Sequence, residues 1–99
     1  MFLHVLEVTY LGGYRLRLVF NDGVVKDVDL QDELEGQVFE PLKDIALFRR
    51  VTVNPDTQTI EWENGADFAP EFLYEIGMTV AVPEKLAARA AKTGATLLR

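Results

Sequence analysis

The chain has 99 residues, 48% of them hydrophobic and 26% charged, with a formal net charge of −6. This is the balance of one ordinary globular domain, not of a disordered chain, and no apolar run approaches the roughly 20 residues of a membrane span. The absence of cysteine excludes disulfides, thiolate metal sites and cysteine nucleophiles. The acidic excess is concentrated, with seven acids and one Lys in residues 21–40, whereas residues 81–99 carry four basic residues and one Glu. Such a body is poorly suited to wrapping a phosphate backbone and better suited to a basic partner. Residues 1–6 are apolar but lack the basic leader and cleavage site of a signal peptide, so a cytoplasmic address is expected.

The chain opens as a β-meander. An apolar strand over residues 2–10 is followed, after Leu11-Gly12-Gly13, by a run with period-two alternation in which Tyr14, Leu16, Leu18 and Phe20 share one face and Arg15 and Arg17 the other. Asn21-Asp22-Gly23 signals a turn, and its length follows from what each choice would pair. A two-residue loop would place Asp27 and Asp29 on the apolar face, which is costly for carboxylates. A three-residue loop with Gly23 left-handed sets Phe20 against Val24, Leu16 against Val28, Arg17 against Asp27 and Arg15 against Asp29. Two cross-strand ion pairs on the wet face are then expected, and they pin register more than they stabilise. The same alternation makes Asp27-Val-Asp29-Leu-Gln-Asp32-Glu33 a poor calcium loop, since no central Gly follows. This register also places the sole histidine, His4, on the inner face beside Phe20.

Residues 31–36 fit one helical turn. Pro41 leads to a helix over residues 44–50 capped by Asp44, with Leu42, Ile45 and Phe48 facing the sheet and Arg49 and Arg50 in the last turn, where positive charge suits the helix dipole or an anion. Residues 51–54 and 59–62 form a second hairpin across a four-residue loop, pairing Val53 with Ile60 and Val51 with Trp62, all four pointing inward. Trp62 is thus first a core residue whose indole N–H needs a partner. Asn64-Gly65 makes a turn, Pro70 opens a helix through Tyr74, and Asp67 is placed to accept from amides at its start. In the tail, residues 78–82 fit a strand and residues 83–92 a helix that packs on the domain or on a second copy.

Leu16-Arg-Leu-Val-Phe-Asn-Asp-Gly23, Asp29-Leu30, Val38-Phe-Glu-Pro-Leu-Lys-Asp44 with Phe48, Ile60-Glu-Trp-Glu-Asn-Gly-Ala-Asp67 and Ala69-Pro-Glu71 with Leu73-Tyr74 resemble, in order and spacing, the bacterial DUF2442 family of unknown function. The resemblance covers residues 3–75. It implies a small α+β domain without an established activity, an antitoxin role where a member's gene neighbour looks like a small toxin, and in some relatives an appended helix-turn-helix domain. A chain ending at Arg99 is expected to lack that appended domain.

The expected fold is α+β: an antiparallel sheet of about five strands, a three-stranded meander plus the second hairpin, with short helices on one face. Residues 1–76 are the domain and residues 77–99 an extension. The chain lacks a phosphate loop, a nucleophile elbow and a paired-histidine metal motif, so it is expected not to be an enzyme and to use no metal or cofactor. Carboxylates Glu61, Glu63, Asp67 and Glu71 around Trp62 are the residues from which acid/base chemistry would have to come. The expected role is a protein-interaction module, antitoxin-like toward a small basic partner or self-associating, with Arg49, Arg50, Trp62, Asn64, Asp67 and Glu71 as its surface. The alternatives are a homodimer binding a small ligand or anion near Arg49, Arg50 and the 64–67 turn, and a regulator acting with a DNA-binding partner.

Overall fold

A computed structural model describes residues 2–83. Strands β1 (Val5–Gly12), β2 (Arg15–Phe20) and β3 (Val25–Asp29) form the antiparallel meander. Its central register is the expected one: Leu16 faces Val28, Arg17 faces Asp27 and Arg15 faces Asp29. Phe20 N–H donates to Val24 O at 2.9 Å, and Gly23 closes the loop at φ 88°. A side chain at Gly23 would be strained there, and a Cβ would also come within 2.5 Å of Pro83 Cγ.

Two short 3-10 turns (Gln31–Glu33 and Glu40–Lys43) lead to helix α1 (Ile45–Phe48). Asp44 caps it by accepting from Ala46 N–H at 3.0 Å. The second hairpin, β4 (Thr52–Asn54) and β5 (Thr59–Glu61), pairs Val53 with Ile60 as expected. Helix α2 (Pro70–Ile76) starts on Pro70 and runs one half-turn beyond Tyr74 to Gly77, after which β6 (Met78–Ala81) pairs antiparallel with β3. Gly77 permits that return. A Cβ on it would lie 3.0 Å from Leu73 O, Lys26 Cβ and Val28 Cγ1.

The class is α+β, but the strands divide differently from expectation: one four-stranded sheet in the order β1-β2-β3-β6, and a separate two-stranded sheet β4-β5. The hairpin does not extend the meander because β6 occupies the free edge of β3. It meets β1 instead, through a hydrogen bond from Val5 N–H to Gln58 O at 3.0 Å. The helix expected over residues 83–92 lies outside the described residues.

The core lies on one side of the large sheet, where Val5, Leu16, Leu18, Phe20 and Val28 meet Leu42, Phe48, Ile60, Trp62 and Leu73. Each such burial contributes about 1.5–3 kcal/mol. Aromatic rings run through it in series: Tyr14 on Phe48 (5.2 Å), Phe48 on Trp62 (5.5 Å), Trp62 on Phe68 (6.0 Å) and Phe68 on Phe39 (4.8 Å). This series joins the meander, α1, the hairpin and the 62–68 turn. His4 does not take the inner position assigned to it. Val5 pairs with Phe20 and is buried, while half-buried His4 accepts at its backbone O from Asn21 N–H and donates its own N–H to the Asn21 side-chain Oδ1, both at 2.9 Å. The cause is a register irregularity between Val5 and Glu7, which the strand pattern carries no sign of.

Candidate functional site

On the outer face of the meander, Arg17 grips Asp27 through two parallel bonds, Nε–Oδ1 at 2.8 Å and Nη2–Oδ2 at 3.0 Å. The guanidinium hydrogen bond holds the Asp27 carboxyl below its ordinary range, with Arg15 adding a smaller attraction from the same face. The second expected ion pair does not form. Asp29 instead accepts from Gln31 N–H at 3.0 Å, because it ends the strand and its short side chain satisfies the following turn. The acidic run is therefore split between an arginine and a backbone amide. Among the described residues no three Asp, Glu or His side chains converge as metal ligands.

The inner face holds a cation that the alternation pattern hid. Lys26 lies opposite Leu18, and its Nζ sits 3.9 Å from the centre of the Tyr74 ring while donating to Tyr74 O near the end of α2. The ring face and the helix carbonyl together offset the loss of hydration. Tyr74 OH donates to Asp22 Oδ2 at 2.7 Å, which raises the phenol above its ordinary pKa and ties α2 to the first hairpin loop.

The residues expected to form an interaction surface are scattered in role. Arg49 closes α1 with its guanidinium carbon 5.7 Å from the Tyr10 ring centre. Arg50 pairs with Glu63 at 3.4 Å. Trp62 is 1% exposed and its Nε1 donates to Phe48 O at 2.7 Å, so it belongs to the core and not to any contact surface. Asn64 binds its own turn, accepting from Ala66 N–H at 3.1 Å and donating to Val38 O at 3.0 Å. Asp67 is exposed and bridged to Glu61 through the backbone; α2 begins after Ala69 with no side-chain cap, which corrects the expected capping role of Asp67. Pro70 at the first helical position reduces the need for one, having no amide hydrogen to satisfy. Glu71 is exposed in the first turn of α2. Of the four carboxylates near Trp62, Glu61 accepts from Asn54 Nδ2 at 3.0 Å and Glu63 holds Arg50.

A depression of about 280 Å³ lies elsewhere, lined by Tyr14, Gln31, Asp32, Leu34 and Lys43. Tyr14 OH donates to Lys43 O across it, and the Lys43 ammonium pairs with Glu40 at 3.2 Å. None of the expected surface residues lines it.

Among the described residues β6 is an apolar stretch left exposed at the margin of the large sheet. Its four residues are all exposed, with Met78 at 75%, and exposed Ile76, Val80 and Val82 lie along the same stretch. The register sets Thr9, Arg17, Asp27 and Met78 in one row across the outer face, and Glu7, Val19, Val25 and Ala81 in another. The described helices and the second hairpin join the core on the opposite face. No helix among the described residues is long and apolar enough to cross a membrane.

Residues 5–79 match the family described as protein of unknown function (DUF2442). A crystal structure of a "Putative DNA Binding Protein" from Nitrosomonas europaea is similar at a TM-score of 0.68 and 26% identity, over 89% of this chain and 53% of that one. The chain thus spans about half the length of that structure. Among curated proteins, none matches the chain.

Proposed function

We propose that this chain, which belongs to the DUF2442 family of proteins of unknown function, acts as a non-catalytic protein-interaction module. The observation that carries the reading is the β6 margin of the large sheet, where uncharged apolar side chains stand exposed beside strand backbone that is unpaired among the described residues. Of the four carboxylates near Trp62 two are already engaged, Glu61 by Asn54 and Glu63 by Arg50, as are Asp27 by Arg17 and Asp22 by Tyr74, while Asp67 and Glu71 stand exposed on the surface. The anion-binding alternative is weakened in the same way, since Arg50 is paired and Arg49 lies over Tyr10. An antitoxin-like role toward a small basic protein is one form of the proposal, favoured by the net charge of −6.

The test is native mass spectrometry of the tagged chain purified from its own cells. A stoichiometric protein partner is expected, either a second copy or a basic chain. Recovery of the bare protein that also stays monomeric at near-millimolar concentration, or of the protein with only a low-mass ligand, overturns the reading.

A second reading rests on the Nitrosomonas europaea structure, whose name describes DNA binding and whose length is about twice the matched part. In that reading the domain serves a DNA-binding protein as its sensing or pairing half. A gel shift with the DNA upstream of its own gene is expected to show no complex with this chain alone and a complex once a DNA-binding partner is added.

A further inference from the structure

We propose that β6 is a self-pairing strand: two copies of the chain join β6 to β6, antiparallel about a two-fold axis, so that the four-stranded sheets become one continuous sheet. The inference rests on the interaction-module reading and names its partner.

The geometry begins with the sheet order, which leaves β6 hydrogen-bonded on one side only among the described residues. An edge strand with open N–H and C=O groups is a template for another strand, and proteins that avoid such pairing place Lys, Pro or an inward charge in the edge. From Ile76 to Val82 this chain has none of these: the run is Ile-Gly-Met-Thr-Val-Ala-Val. The one irregularity is a register shift at Val80 in the pairing with β3, which twists the strand without charging it.

Charge then selects the occupant. Two copies each carrying −6 repel one another over most of their surface, and least where neither presents a charge. The nearest acids behind β6 are already held, Asp27 by Arg17 and Asp22 by Tyr74. A basic protein would find no free carboxylate within the strand itself, whereas a second copy needs none. An antiparallel strand is also self-complementary about a two-fold axis, since each backbone bond it makes is returned by symmetry. Exposed Met78 and Val80 would lose water on both copies at once. One strand pair is small beside a standard interface, so the dimer is expected to be concentration-dependent and not obligate.

Sedimentation velocity from micromolar to near-millimolar chain is expected to show the mass rising from 11.2 kDa toward twice that value. The double variant Met78→Lys/Val80→Lys is expected to stay monomeric throughout with an unchanged far-UV circular dichroism spectrum. Leu6→Lys, in the exposed irregular part of β1, is expected to dimerise like the wild type. Should the double variant fail to fold, the cysteine-free chain offers a milder probe: single Thr79→Cys, Val80→Cys and Ala81→Cys variants oxidised in turn. A disulfide dimer is expected for the position nearest the two-fold axis and not for Thr9→Cys on β1. A wild type that remains monomeric at the highest concentration overturns the proposal, as does a dimer that survives both lysines. A monomer that still retains a different protein partner overturns self-pairing alone and leaves the interaction-module reading standing.

Discussion

Lys26 and Arg17 sit on neighbouring strands and solve the same problem in opposite ways. Arg17 points to the wet face and takes a carboxylate in bidentate geometry; Lys26 points to the packed face and takes a carbonyl and an aromatic ring. Asp27 has a depressed pKa in the fold, so its contribution is present above the ordinary carboxylate value of about 3.9 and is lost as pH falls through the folded value. Asp27→Asn is therefore expected to lower the melting temperature at neutral pH and to match the wild type in strong acid; a gap between the two that persists there would refute the assignment. Tyr74 has a raised pKa, so its contribution is complete below the ordinary tyrosine value of about 10 and is lost as pH rises through the folded value. Tyr74→Phe removes one hydrogen bond to a charged group, about 1.5 kcal/mol at neutral pH. Urea unfolding checks this, with the difference expected to shrink in alkali. The Arg17–Asp27 pairing was legible in the sequence because strand alternation and loop length fix it. Lys26 was not, because its partner comes from α2, 48 residues away.

At the scale of elements, the first hairpin and α1 were written locally. Asn21-Asp22-Gly23 sets the loop, Asp44 caps the helix, and both were found where spacing placed them. Gly23→Ala is expected to cost about 1–2 kcal/mol from backbone conformation alone, with the approach of Pro83 adding to it. Chemical denaturation of the variant checks this; a cost near zero would mean that the loop is not held left-handed. The second hairpin places the sole Trp inside, with its N–H on Phe48 O. Blue-shifted Trp emission is expected in the folded chain, and Trp62→Phe is expected to cost about 1–3 kcal/mol because it leaves the Phe48 carbonyl unsatisfied in the core. Emission already at the wavelength of exposed indole would contradict this placement. What escaped sequence reading here was the aromatic series through Phe39, Phe68 and Phe72. These residues lie in turns and at the start of α2 and follow no strand or helix period.

At the scale of the whole molecule, the strands divide into four and two because β6, and not the second hairpin, pairs with β3. Gly77 lets the chain turn directly from α2 onto β3, where a Cβ would crowd Leu73 O, Lys26 Cβ and Val28 Cγ1 at 3.0 Å. This pairing leaves β6 hydrogen-bonded on one side only among the described residues, so the candidate interaction surface comes from tertiary pairing and not from any motif. Self-pairing and the search for a second protein both act at this scale, and the β6 lysine variants separate them from the stability tests above.

Pattern and composition by themselves determined the α+β class, the β2–β3 register and the inward face of the second hairpin, because these follow from contacts a few residues apart or from a period of two; the likeness to the DUF2442 family rested on the order and spacing of its motifs. Only the tertiary structure decided that Asp29 turns to a backbone amide instead of Arg15, that Val5 and not His4 faces inward, and that β6 is hydrogen-bonded on one side only among the described residues. Those outcomes depend on which distant groups meet at a site, and packing settles that where local preference is nearly indifferent.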